Sequence, residues 1–352
     1  MDLAVDPALA PMEARTAAKL PAGEGWQYEP KWDGFRCLAY KSGEDVDLRS
    51  KSGLPLARYF PEIAALIAAV PVRRFALDGE LAVPVDGRFD FEQLQLRLHP
   101  AASRVRKLAA ERPAAYIAFD ILVDARNRDL ASRPLAERRR ALEAFFASLP
   151  ENPRLLLSPA TTDRRLAAGW CEEVGPALDG VIAKRLDLPY RAGTRDGMVK
   201  VKRLRTADCV VGGFRYGAGS AHAASLLLGL YDDDGLLHHV GYTSGIKAAE
   251  KPALTKRLEA LVEEPGFTGR APGGPSRWAT ERSGAWRPLR PELVVEVRYD
   301  HVTGGRFRHG TTLLRWRPDK APTQCRMEQI EPAQPSHDSP LRVADALISS
   351  SA

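Results

Sequence analysis

Apolar residues recur along this chain in short runs, and the runs change character twice. Leu38-Ala39-Tyr40 and Val46-Asp47-Leu48 flank Ser42-Gly43-Glu44-Asp45 and predict a hairpin. Ile63 to Val70 is apolar at helical length, with Pro61 at a favourable first-turn position. Phe75-Ala76-Leu77 and Glu80-Leu81-Ala82-Val83 straddle Asp78-Gly79, which reads as a turn between two short strands. Tyr116 to Val123 predicts a buried strand, Leu135 to Leu149 an Arg-rich amphipathic helix. Val181 to Lys184 and Met198 to Val201 predict two further strands. Ahead of Trp26, the Ala- and Pro-rich opening predicts an irregular arm with one short helix.

The pattern shifts near Leu204 to Asp208. Beyond it, Cys209–Phe214, Ser225–Tyr231, Leu236–Tyr242, Leu293–Tyr299 and Thr311–Trp316 read as strands parted by glycine turns, with one helix over Pro252–Val262. Five strands and a helix in about 120 residues suggest a small OB-type barrel. The expected organisation is therefore α+β in two domains, 1–204 and 205–330. A tail, 331–352, rich in Pro and Ser, is expected to be poorly ordered.

Composition narrows the class without choosing a function. The chain has 352 residues, 44% hydrophobic and 27% charged, which excludes fibrous and wholly disordered proteins. No apolar run approaches the roughly 20 residues that span a bilayer, and Asp2, Asp6 and Pro7 break any signal-peptide core. A cytoplasmic protein without a membrane partner is expected. The net charge of +6 suits a polyanionic partner. Cys37, Cys171, Cys209 and Cys325 form no CxxC pair, so they read as small apolar residues in a reducing compartment rather than a zinc site. His238 and His239, adjacent on a strand, would face opposite ways and make no paired metal site.

The candidate chemistry starts at Glu29-Pro30-Lys31-Trp32-Asp33-Gly34-Phe35-Arg36. A strand ends in a lysine and turns at Asp-Gly, and an arginine follows. Such a lysine can be a nucleophile if its amine is neutral, which needs desolvation or nearby cations. A solvated surface lysine is the plainer reading of that segment alone. Companions change the balance: Asp78-Gly79-Glu80 reads as a second Asp-Gly turn and Asp179-Gly180-Val181-Ile182-Ala183-Lys184 as a third, followed by Met198-Val199-Lys200-Val201-Lys202 and Arg317-Pro318-Asp319-Lys320. Lys200 and Lys202 share one strand face. Carboxylates for a divalent ion and cations for shifting phosphate charge are what a nucleoside triphosphate requires.

Taken in order, and with Phe119-Asp120 included, these motifs resemble those of the covalent nucleotidyltransferases. Within that superfamily the chain is similar to minimal bacterial ATP-dependent DNA ligases. The resemblance covers about residues 10 to 325 and draws also on Trp286–Glu296 and Gly305–Lys320. It implies an ATP-grasp-like adenylyltransferase domain of antiparallel sheets and helices, followed by an OB-fold barrel. It implies that Lys31 attacks ATP and carries AMP as a phosphoramidate. Glu29 would read adenine, Phe119 stack on it, and Arg36 and Glu80 hold the ribose. Glu80 and Asp179 would bind Mg²⁺ or Mn²⁺. Lys184, Lys200 and Lys202 would contact phosphate, and Arg317 and Lys320 would close over pyrophosphate as the second domain swings in. Departures are Asp179 where the family has Glu, Met198 where it has an aromatic, and Ser50-Lys51 where it has Ser-Arg. Arg49 and Lys51 are both open candidates for that arginine's role.

Lys51, Arg104, Arg106, Arg191 and Arg195 are candidate nucleic-acid contacts, with Arg97 and Lys107 adding charge to the same stretch. A solvated helix face is an equal reading for the group from Arg97 to Lys107. The Arg138-Arg139-Arg140 run reads as helix surface, and the tryptophans as packing residues. The implied substrate is nicked double-stranded DNA, in repair, recombination or replication, with an end-binding or repair protein as partner and a monomeric state. The rival readings are an RNA ligase, an RNA-capping guanylyltransferase and an inactive nucleic-acid-binding module. An NAD-dependent ligase is disfavoured because clustered cysteines are missing.

Overall fold

The structure, a computed structural model, describes residues 1–85, 88–172, 178–202, 205–273 and 285–331. The tail expected to lack order falls almost wholly outside them. The chain divides into two compact units, Met1–Arg203 and Leu204–Ala333. No helix among the described residues is long and apolar enough to cross a membrane.

The first unit contains β1 (Arg15–Thr16), β2 (Trp26–Trp32), β3 (Phe35–Ser42), β4 (Asp45–Ser50), α1 (Pro61–Ala69), β5 (Arg74–Ala82), α2 (Phe91–Leu96), α3 (Ala102–Glu111), β6 (Ala115–Val123), α4 (Leu135–Ala147), β7 (Leu155–Leu157), α5 (Arg164–Glu172), β8 (Leu178–Arg185) and β9 (Met198–Lys202). One sheet has the order β1-β9-β8-β2 and another β4-β3-β5-β6-β7. Most neighbours are antiparallel; β1 runs parallel to β9 and β7 parallel to β6.

Strand periodicity explains the layering. Cys37, Ala39, Phe75 and Leu77 join Ile63, Ile67, Leu142 and Phe145 in the core beneath the helices. Their neighbours Leu38, Tyr40 and Ala76 turn the other way and pack with Tyr190 and Met198. Both faces of the second sheet are thus covered at its centre, so β3, β5 and β6 carry buried apolar residues on both faces, whereas β4 buries only Leu48. In α1, Ile63, Leu66 and Ile67 form the buried stripe at helical spacing, and Pro71 follows the end. The Asp90 carboxylate caps α2 by accepting from the Glu92 and Gln93 amides at 2.8 and 3.2 Å.

Four expectations fail here, each for a physical reason. The opening arm holds no helix; Pro7, Pro11 and Pro21 punctuate it, and its regular piece is β1. Asp78-Gly79 is no turn, because β5 runs straight through it. A Cβ at Gly79 would lie 2.6 Å from the Tyr116 ring, so glycine serves close packing there. Asp179-Gly180 likewise lies inside β8. Finally, Arg138 and Arg97 are not surface charges. Arg138 is 2% exposed and forks onto Asp120 at 2.8 and 2.9 Å. Burial pushes the Asp120 carboxyl up, but Arg138 outweighs it and holds the pKa below the usual value. Arg97 is 1% exposed, bound to Glu62 at 2.7 Å and to the Tyr59 carbonyl at 3.1 Å. A charge run on a helix says nothing about which member meets a buried carboxylate.

The second unit is built on β10 (Arg205–Tyr216), β11 (Ala223–Tyr231), β12 (Leu237–Thr243), α6 (Lys251–Glu259), β13 (Val294–Tyr299) and β14 (Thr312–Trp316). The sheet order is β12-β11-β10-β13-β14, with Arg287–Pro288 also on β10. Among the described residues, one bridge, Thr243 to Thr311, links its two ends. No closed ladder joins β12 to β14 among the described residues. Leu226, Leu228, Val240, Leu258 and Val295 form its core. His239 is buried, whereas His238 is part-exposed and bonds Asp232 at 2.6 Å, on opposite faces as expected.

Replacing Arg138 by Ala leaves a buried carboxylate unpaired. It is expected to destabilise the first unit by about 3–5 kcal/mol in denaturant unfolding. A loss below about 1 kcal/mol would show that the pair is not a structural anchor.

Candidate active site

A cavity of about 220 Å³ opens in the first unit, lined by residues of both sheets and by the arm. Alternation decides its floor. On β2, Gln27, Glu29 and Lys31 share a face while Tyr28 packs against α5 residues. On β9, Val199 and Val201 join that same core, which leaves Met198, Lys200 and Lys202 on the cavity side. Arg36 and Glu80 are direct ladder partners on β3 and β5, so they share a face of the second sheet.

Two bulges supply what alternation cannot. Leu178 pairs with Trp32 and Gly180 with Lys31, so Asp179 is the extra residue between them. The bulge swings its carboxylate to Lys31, with which it forms a close ion pair, and to Lys202 at 3.2 Å. Gly180 is required by this geometry: its φ is +136°, and a Cβ would fall 2.1 Å from the Val201 carbonyl oxygen. On β6, Asp78 pairs with Asp120 and Gly79 with Ala118, leaving Phe119 as the extra residue. Helix-side residues are Tyr116 and Ala118 before the bulge and Ile121 after it, so parity shifts by one. Phe119 is thereby left lining the cavity.

Each ionic side chain has a defined partner. The Glu29 carboxylate, 2% exposed, accepts from Gln27 Nε2 at 2.7 Å and Lys184 Nζ at 2.8 Å. The Lys184 ammonium also lies 4.7 Å over the Phe119 ring. The Arg36 guanidinium is 5.0 Å over that ring and forks onto buried Asp78 at 2.7 and 2.5 Å. Tyr190 donates its hydroxyl proton to Asp78 at 2.6 Å and accepts from the Met12 amide at 3.0 Å. Desolvation, with Lys31, Lys202 and Lys51 adding repulsion, lowers the Lys200 pKa. At the mouth, Glu13 takes Lys51 at 3.1 Å and Arg195 at 3.2 Å. These contacts hold the Glu13 carboxyl below its usual range, Lys51 contributing most.

The structure gathers Glu29, Lys31, Arg36, Lys51, Glu80, Phe119, Lys184 and Lys200 around one cavity, with Asp179 and Lys202 beside Lys31. Between the open candidates, Lys51 lines it; Arg49 bonds Asp47 at 2.7 Å and the Gly53 carbonyl at 3.1 Å. Arg104 and Arg106 are exposed on α3 and do not line it. Arg191 is exposed, 3.7 Å from Asp196. Sequence reasoning missed Asp78, Tyr190, Gln27 and Glu13. The one available signal was Asp78, a carboxylate within an apolar strand run.

The carboxyl groups fit a divalent ion in part. Burial raises Glu80 to a pKa of about 8, only partly offset by Lys31 and Arg36. A desolvated carboxyl of this kind gains from a nearby cation. No group of three or more His, Cys, Asp and Glu side chains among the described residues could hold an ion unaided. Asp179 and Glu80 would act with phosphate oxygens, as suits Mg²⁺.

The models of two protein families match the chain: "ATP dependent DNA ligase domain" over residues 7–202 and "ATP dependent DNA ligase C terminal region" over 219–320. DNA ligase C2 of Mycolicibacterium smegmatis is 45% identical, over 96% of this chain and 98% of its own. DNA ligase C of Mycobacterium tuberculosis is 43% identical over 94% and 96%. The solved structure of a Lig E DNA ligase shares the fold, with a TM-score of 0.55 at 18% identity, covering 89% of this chain and all of that one.

Glu80→Gln tests the buried acid. The group ionises near 4.5 when unfolded and near 8 when folded, so the cost of charging it is absent below pH 4.5 and full above 8. The variant should melt like the parent at pH 4 and be more stable by about 1–3 kcal/mol at pH 8.5. A difference independent of pH would refute the assignment.

Proposed function

Since the chain belongs to the ATP-dependent DNA ligase family, we propose that Lys31 is the residue that carries AMP. As an ATP-dependent DNA ligase its substrate is nicked DNA. The observation that supports Lys31 is its place: at the end of β2, in the cavity, tied to Asp179 and within a field of cations.

The amine of Lys31 attacks the α-phosphorus of ATP; an N–P bond forms and the bond to pyrophosphate breaks. The AMP then passes to the 5′-phosphate of the nick, which frees the lysine. Attack by the 3′-hydroxyl on that phosphate expels AMP and seals the strand. Asp179 aligns the lysine side chain through their ion pair. Lys200 and Lys202 neutralise phosphate oxygens beside it. Phe119 stacks on adenine, and Arg36, fixed by Asp78 and Tyr190, meets the ribose with Glu80. Lys184 is the exception to a phosphate role. It is buried against Glu29 and Phe119, and suits the base end, where Glu29 must share its oxygens with the adenine edge. A Mg²⁺ or Mn²⁺ ion held by Glu80, Asp179 and phosphate would offset the anionic charge that accumulates at phosphorus.

The second unit is read as an OB-type domain, on the strength of its five antiparallel strands and the Thr243–Thr311 bridge between the ends. Arg317 and Lys320 serve the leaving pyrophosphate in the first step, for which this unit closes. Lys51, Arg191 and Arg195 are offered to DNA phosphates, as are Arg104 and Arg106, which do not line the cavity and would meet the duplex outside it. The protein acts as a monomer in the cytosol, in repair with an end-binding partner.

Incubation with α-labelled ATP and Mg²⁺ or Mn²⁺, with GTP in parallel, should label Lys31 with AMP that chases onto a nicked DNA. Lys31→Ala should label not at all while unfolding like the parent; retained labelling would sink the mechanism. An adduct formed only with GTP would contradict the adenylate chemistry. Arg317→Ala and Lys320→Ala should slow self-adenylylation more than sealing of a pre-adenylylated nick. Equal losses would dismiss the pyrophosphate role.

A further inference from the structure

One carboxylate in the second unit holds both cations of the Arg317-Pro318-Asp319-Lys320 turn. Asp208, on β10, accepts from Arg317 Nη1 at 2.9 and 3.0 Å and from Lys320 Nζ at 2.8 Å. Its side chain is 12% exposed, those of Arg317 and Lys320 19% and 22%. Asp208 is itself firmly placed. It is the ladder partner of Glu296 on β13, and the Gln329 side chain accepts from its amide at 3.0 Å and donates to its carbonyl at 3.1 Å. The turn is less constrained. Its backbone is tied by the Arg317 amide to the Val294 carbonyl at 2.8 Å and by the Lys320 amide to the Arg317 carbonyl at 3.2 Å. Nε and Nη2 of Arg317 donate to Asp319, at 2.8 to 3.2 Å.

If the turn served only to deliver positive charge, two carboxylates against it would be a handicap. They make sense as geometry. Long cationic side chains lose rotamer freedom when they grip a phosphate, and a fixed acceptor that already holds them together removes part of that loss. Arg317 Nη1 and Lys320 Nζ both bond Oδ2 of Asp208, so the two nitrogens lie within one acceptor's reach of each other. That spacing suits neighbouring non-bridging oxygens of a polyphosphate.

We propose that Asp208 is a positioning residue for the first nucleotidyl transfer, holding Arg317 and Lys320 side by side for the departing pyrophosphate. The inference rests on the reading of those two residues given above. The test is single-turnover self-adenylylation of the full chain with α-labelled ATP and Mg²⁺, over a range of ATP concentrations, beside sealing of a pre-adenylylated nick without ATP. Asp208→Ala should slow adenylylation by about tenfold or more and raise the ATP concentration for half-maximal rate, with a much smaller effect on sealing. Asp208→Asn, which keeps an acceptor oxygen, should recover part of the loss. In Arg317→Ala, the further change Asp208→Ala should add little. Wild-type or faster adenylylation by Asp208→Ala, with Arg317→Ala slow, would overturn the proposal, because the carboxylate would then only restrain the cations. Equal loss in both steps would overturn it too. If Arg317→Ala and Lys320→Ala both adenylylate normally, the underlying reading fails first, and the proposal with it.

Discussion

The first unit depends on a close backbone approach at Gly34. Asp33 and Gly34 are the whole link between β2 and β3, yet those strands belong to different sheets. The chain changes sheets there by passing against β5: a Cβ at Gly34 would lie 2.1 Å from the Leu81 carbonyl oxygen. Lys31, just before the crossing, and Arg36, just after it, are therefore built into different sheets while lining one cavity. Neither side chain needs a flexible loop to reach it. Ladders on each side of the crossing fix the lysine against Asp179 and the arginine against Asp78. A site carried on paired strands keeps its geometry better than one carried on loops.

A second regularity is that most cations of the cavity and its mouth, and those of the Arg317–Lys320 turn, are already in the company of carboxylates. Lys31 and Lys202 have Asp179, Lys184 has Glu29, Arg36 has Asp78, Lys51 and Arg195 share Glu13, and Arg317 and Lys320 share Asp208. In a low-dielectric setting uncompensated cations of this density would repel one another. Each carboxylate offsets that repulsion at the cations it holds. The bulge at Asp179 and the parity shift at Phe119 are the backbone devices that bring an acid and an aromatic ring into this field.

Most of the strands and helices, and the change of character near residue 205, follow from period and punctuation. Much of the cavity's membership is implied instead by the family resemblance that the ordered lysine, carboxylate and arginine motifs carry, and Glu13 is not part of it. What one local signal could not do is say what an Asp-Gly pair is for. At 33–34 it turns the chain; at 78–79 and 179–180 it lies within a strand, where the missing Cβ admits the Tyr116 ring or the Val201 carbonyl. The dipeptide is the same, and the difference lies in the strand that packs against it.

The sequence by itself determined the chemical vocabulary: which lysines, acids and aromatics exist, on which strands, and with what alternation. Tertiary structure decided their pairings. Arg138 and Arg97 look like the solvated charges beside them, yet Asp120 and Glu62 lie across the fold and draw them inside. Asp78 and Tyr190, Glu13 and Arg195, Asp208 and Arg317 are each more than 100 residues apart. Hydrophobic period is a property of neighbouring residues, whereas an ion pair depends on distance in space, which is set only when the sheets have packed.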